Sequence, residues 1–241
     1  MNRGFTLVEL IITIVLLGIV AGVGVNIISR VFIGYSDSKT KNFLYNEGKF
    51  AAERIDREIR ESVPNTLRIH NSSTLQFALF SDMMYYDNTT INKINIYDND
   101  SPLSIGDNVS IYITSSSHFY NLSRVYNVTG VNNYDNYSII TFDKNISKDS
   151  PYKRLFVVET PVTFYLDGDT LKRCFAYPPN MSNYGNPDGT CNIVTKYVES
   201  VTFTYEAGVT WRTGVLTIDI KLSKAGTSIT YTHKVQVRNV P

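Results

Sequence analysis

From Phe5 to Ile28 the chain is apolar except for Thr6, Glu9, Thr13 and Asn26, with glycines at 18, 22 and 24. As a helix rising about 1.5 Å per residue, this run spans the roughly 30 Å hydrocarbon core of a bilayer. The pattern then changes. In KNFLYNEGKFAAERIDREIRESVP, Leu44, Ala51, Ile55, Ile59 and Val63 recur at helical spacing on one face. The other face carries Glu53/Arg57, Arg54/Glu58, Asp56/Arg60 and Arg57/Glu61 as opposite-charge pairs four residues apart, which predicts a solvated surface. Pro64 ends the run. Beyond Leu67 the period falls to two, in runs such as TLQFALF, KINIYD, NVSIYIT, YSIITF, KYVESVTFTYE and ITYTHKVQVRNV separated by turn residues. Alternation is clearest in VLTIDIKL, where Leu216, Ile218, Ile220 and Leu222 point one way, and VTFYLDGDTLKRCF predicts a hairpin turning at Asp167-Gly168-Asp169. The expected fold class is α+β: a long N-terminal helix, membrane span plus amphipathic half, packed against an antiparallel β-sheet head with one face buried and one wet.

Glu9 stands out against this background, because a charge in hydrocarbon costs roughly 2.5 kcal/mol or more and needs a partner. Arg3 and the start amine precede the span, an arrangement that keeps the N-terminus cytoplasmic and exports the rest. A cleavable secretory signal has a shorter apolar core with its cut site beyond it, unlike this run.

The stretch RGFTLVEL resembles the prepilin motif of type IV pilins and type II secretion pseudopilins. The resemblance implies that Gly4 is the last leader residue, that an inner-membrane prepilin peptidase cuts between Gly4 and Phe5, and that the new Phe5 amine is methylated. Glu9 becomes the family's glutamate at the fifth mature position, the assembly residue. The physics agrees: Glu9 compensates the new amine, in the same chain or a neighbour, and breaking such a buried pair costs about 3–5 kcal/mol, which makes it a register device. Gly18, Gly22 and Gly24 each lower helix propensity by about 1 kcal/mol but permit close helix approach. With no proline in the span, any bend falls to them.

EGKFAAERIDREIRESVPNTLRI and the C-terminal THKVQVRNVP resemble J-type minor pilins and pseudopilins, and more closely minor pilins of the mannose-sensitive haemagglutinin (MSHA) pilus. This implies a pilin-like protein divided into a leader (1–4), a transmembrane and filament-core helix (5–29), an amphipathic helix (30–64) and a β-rich periplasmic head (65–241). It would sit in the bacterial inner membrane with a single pass, then enter the pilus and help initiate or prime assembly at the tip. The implied partners are other major and minor pilins in a hetero-oligomeric filament, prepilin peptidase and the inner-membrane assembly platform. A type II secretion pseudopilin and a glycan-binding tip adhesin are the alternatives.

Composition narrows the picture. Formal charge is +1, from 23 basic and 22 acidic residues, so no electrostatic footprint for nucleic acid is expected. Cys174 and Cys191 bracket the Pro/Gly/Asn-rich FAYPPNMSNYGNPDGT; in an exported chain they are expected to form a disulfide worth about 3 kcal/mol through loop closure. His70, His118 and His233 lack ligand spacing, and YDNDSPLSIGDN, with Asp98, Asp100 and Asp107, lacks the EF-hand pattern, so no metal is expected. Trp211 and the 17 tyrosines have aromatic faces suited to a sugar platform, although tyrosines scattered through strands ordinarily serve packing and surface. No nucleophile, base and carboxylate occur together and no Gly-rich phosphate loop is present, so catalytic residues and cofactors are expected to be none and the chain is read as a non-enzyme.

Overall fold

The apolar run and the amphipathic segment after it form one uninterrupted helix, α1 (Leu7–Arg60), of 54 residues and so about 80 Å long. A computed structural model describes residues 6–97, 103–182, 189–208 and 213–238. Burial on α1 begins at Leu44 and continues through Gly48, Ala51, Ala52, Ile55, Glu58 and Ile59, a stripe at three- and four-residue spacing. The helix ends at Arg60, short of Pro64, because strand-like contacts capture the chain first. Ser62 bridges Leu79, and the Val63 N–H donates to the Ala78 carbonyl at 2.8 Å. Val63 is therefore buried by a strand contact and not by the helical face on which its spacing placed it.

The remainder comprises β1 (Arg68–His70), β2 (Thr74–Thr90), β3 (Lys93–Ile96), β4 (Asn108–Ile111), the short helix α2 (Ser116–Tyr120), β5 (Val125–Asn133) and β6 (Ser138–Phe142). They are followed by β7 (Arg154–Asp167), β8 (Thr170–Phe175), β9 (Thr190–Thr195), β10 (Val198–Glu206), β11 (Gly214–Lys224) and β12 (Thr227–Val237). Where one sheet was expected, two form among the described residues. One has nine strands in the order β1-β2-β3-β6-β5-β4-β7-β8-β9, and the other is β10-β11-β12. All their described pairings are antiparallel.

Because β2 also pairs with β7, the strands β2-β3-β6-β5-β4-β7 close into a six-stranded barrel. Its interior takes side chains from all six: Tyr86, Ile94, Val109, Tyr126, Ile140 and Leu155 among them. The second core lies under the helix. Leu44, Ala51, Ile55 and Ile59 pack with Leu75, Phe77, Val162 and Phe164 from β2 and β7 and with Leu216, Ile218, Ile220 and Leu222 from β11. The long strands β2 and β7 thus serve both lobes, and their pairing is irregular at Ala78/Phe80 and Phe80/Asp82, where they pass from one to the other. Such bulges bend and twist a strand, as this change of partner layer requires. Val63, Ala78, Ile113, Phe119, Tyr120 and Phe156 fill the joint where the helix ends.

The hairpin between β7 and β8 turns on two residues, Gly168 and Asp169, since Asp167 already pairs with Thr170. Gly168 supplies the positive φ, 61°, needed at the first central position of such a turn.

Candidate functional site

Thr6 caps α1 through a reciprocal pair of contacts with Glu9. The Glu9 N–H donates to Thr6 Oγ1 at 3.4 Å, and Glu9 Oε2 accepts from the Thr6 N–H at 3.0 Å and from Thr6 Oγ1 at 2.9 Å. This capping box satisfies orphan donors of the first turn and turns the carboxylate toward the N-terminal end of the helix, where the helix dipole also favours negative charge. Of the sequence-predicted positions, Gly4, Phe5, Asp98, Asp100 and Trp211 lie outside the described residues.

Beyond that turn the helix is uncovered. Its large apolar side chains from Leu7 to Ile33 are all exposed, and the run is long and apolar enough to cross a membrane. Each such side chain forgoes about 1.5–3 kcal/mol by staying in water. A helix of this kind needs lipid or neighbouring helices around it.

The head grips the other end of α1 with polar contacts that run through the face expected to be solvated. Glu58 is buried: its carboxylate accepts from Arg173 Nε at 2.8 and 2.7 Å and from Arg54 Nε at 3.4 Å. The expectation fails there because β8 lays Arg173 across the helix. Asp56 accepts from Arg60 at 2.8 Å, and His233 Nε2 on β12 lies 3.2 Å from its Oδ2. Burial pushes the Asp56 carboxyl upward, but the hydrogen bonds and charges of Arg60 and His233 outweigh it and hold the group below its ordinary value. Nearer the membrane-spanning run, Thr195 Oγ1 donates to Glu47 at 2.6 Å and Thr227 Oγ1 to Asp37 at 3.2 Å. Lys224 lies over the rings of Phe43 and Tyr197, 4.2 and 4.3 Å from their centroids. The helix is thereby fixed in rotation against the head. Arg173, His233, Thr195 and Thr227 carry no sequence signal for this role, since each reaches a helix residue more than a hundred positions away.

Cys174 and Cys191 are joined by a disulfide between facing positions of β8 and β9. The loop it closes is pinned at its start. Tyr177 is buried, with Gln76 Nε2 donating to its hydroxyl at 2.8 Å and Thr163 bonded to it at 2.5 Å. Burial pushes the Tyr177 phenol above its ordinary pKa. Arg68 donates to the carbonyls of Asn180 and Met181 at 2.7 and 3.3 Å, with its guanidinium 3.4 Å above the Tyr120 ring. Asp107 caps a local turn by accepting from the Ser104 N–H at 2.7 Å, and among the described residues no three His, Cys, Asp or Glu side chains gather to hold a metal.

Residues 1–25 match the family model described as the prokaryotic N-terminal methylation motif. No curated protein and no solved structure matches the chain. That motif stands at the head of an uncovered apolar helix whose far half is packed under antiparallel sheet, an arrangement that supports a type IV pilin-like or pseudopilin-like substrate of prepilin peptidase. The class is structural in character.

Proposed function

We propose that the protein is a minor type IV pilin of the MSHA type, similar to MshO, that helps initiate or prime pilus assembly at the filament tip. Prepilin peptidase removes residues 1–4 after Gly4 and methylates Phe5. Residues 5–29 anchor the chain in the inner membrane and later enter the filament core, residues 30–64 carry the head, and residues 65–241 form it in the periplasm. The observation that carries this reading is the capped first turn, which aims Glu9 toward the end of a helix that is left exposed among the described residues. Cleavage places a cationic amine one turn from that carboxylate. In a filament, neighbouring helices bury the apolar run, and the amine–carboxylate pair selects the axial register, because a stranded partner is heavily penalised. Contacts of this kind are heterologous and build open filaments. Steric shape supports the tip: the barrel lobe begins where α1 ends, and every neighbour of a shaft subunit would have to accommodate it.

Intact mass and N-terminal sequencing of the protein from its native membrane test the reading. The wild type is expected to begin at N-methylated Phe5 and Gly4→Ala to retain its leader; a wild-type chain still beginning at Met1 would sink it. A type II secretion pseudopilin shares the same motif, and cross-linking in the native membrane tells the two apart by whether pilus or secretion subunits are captured.

A further inference from the structure

The barrel has an outward face whose residues its core does not need. Along β3, Ile94 and Ile96 point inward, while Asn95 points out, as does Tyr97 just past the strand end. The ladder ends where Ile96 pairs with Ser138, which leaves Tyr97 and Tyr137 flanking its last rung. On the other side, the irregularity of β2 between Tyr86 and Thr89 brings Asp87 to the same face. Asp87, Asn95, Tyr97, Asn136 and Tyr137 line a cavity of about 190 Å³. Tyr134, at the other end of the β5–β6 turn, stacks on Tyr137 with ring centroids 4.9 Å apart and planes 16° from parallel. A hydrogen bond from the Tyr134 N–H to the Tyr137 carbonyl at 2.8 Å holds that turn closed. The Asp87 carboxylate beside it holds the Tyr97 phenol above its ordinary pKa.

These rings are presented to solvent, with Tyr97 72%, Tyr134 48% and Tyr137 38% exposed. Among the described residues the lining has a consistent chemistry: tyrosine rings, two neutral amides and one carboxylate, with neither a cation nor an aliphatic side chain. A peptide or lipid would want aliphatic walls, and a phosphate or acidic sugar would want a cation. Amides and a carboxylate offer paired donors and acceptors for adjacent hydroxyls, and an aromatic face accepts the C–H side of a saturated ring. The volume is below the roughly 300–1,000 Å³ of drug-sized pockets, so it suits one ring. We infer that this face of the barrel is a carbohydrate subsite for a single neutral pyranose unit, with Asp87, Asn95 and Asn136 holding its hydroxyls and Tyr137, backed by Tyr134, stacked against its ring. It stands independently of the assembly role proposed above.

The test is saturation-transfer NMR on the full chain in dodecylphosphocholine micelles, a detergent without a sugar headgroup. Methyl α-glucoside, methyl α-galactoside, methyl α-mannoside and N-acetylglucosamine at millimolar concentration are the probes, with sialic acid as the acidic control. Transfer to the ring protons of at least one neutral probe is expected. Its affinity should fall by about tenfold or more in Asp87→Ala and in Tyr137→Ala, the loss of one good contact. It should be unchanged in Tyr152→Ala, which removes an exposed tyrosine elsewhere. Asn136→Ala, on the turn itself, reads the same site should either first variant lose its wild-type circular dichroism. No transfer from any neutral probe, equal transfer from sialic acid, or a signal indifferent to these substitutions would overturn the inference.

Discussion

Glu58 occupies a helix position that reads as one rung of a surface charge ladder, yet its carboxylate is enclosed by Arg54 and Arg173. A half-buried ion pair of this kind is weakly stabilising while intact and costly when one side is removed. Glu58→Ala is therefore expected to lower the stability of the head by about 3 kcal/mol, measured by chemical denaturation of the full chain in detergent. Replacing both partners by apolar residues, Glu58→Met with Arg173→Leu, should recover most of that loss. A single-substitution effect below about 1 kcal/mol would mean that the pair behaves as an ordinary surface bridge. Glu9 and Glu58 differ in legibility for a physical reason. Glu9 stands alone in an apolar run, so its cost is visible in the sequence, whereas the burial of Glu58 depends on an arginine 115 positions away.

At the scale of elements, α1 carries two kinds of glycine. A Cβ at Gly18, Gly22 or Gly24 would meet nothing within 4 Å, but one at Gly48 would come within 3.0 Å of Leu222 Cδ1 and of Tyr231 Cβ. Gly48 thus lets the sheet of β10, β11 and β12 lie close against the helix. Gly48→Val is expected to destabilise the head by about 1–3 kcal/mol through overpacking, despite any gain in helix propensity, and thermal unfolding of the two proteins decides it. An unchanged midpoint would show that the sheet moves aside freely. The buried stripe of α1 and the alternation of β11 were legible because each is a local period, with Leu216, Ile218, Ile220 and Leu222 all fully buried. The second half of β2, SDMMYYDNTT, has no such period and is extended because β7 and β3 pair with it.

Across the whole molecule, the disulfide between Cys174 and Cys191 holds β9, an edge of the nine-stranded sheet, to β8 beside the helix-packed core. Replacing both cysteines by serine is expected to cost the head about 2–4 kcal/mol, and reductant should shift wild-type denaturation by a similar amount while leaving the variant unmoved. A wild type insensitive to reductant would place the stability of that edge in the contacts of Arg68 and Tyr177 instead. The long helix, its apolar and amphipathic halves, the β-rich head and the prepilin-type N-terminus were legible along the chain, because periodicity, span length and a short contiguous motif are all encoded between near neighbours. That two sheets form, that β2 and β7 close a barrel, that Glu58 is buried and that Asp87, Asn95 and Tyr137 share a surface emerged with the folded arrangement. Each of these rests on which strand edges find one another across long stretches of chain, a choice made by the collective burial of two cores that no single segment encodes.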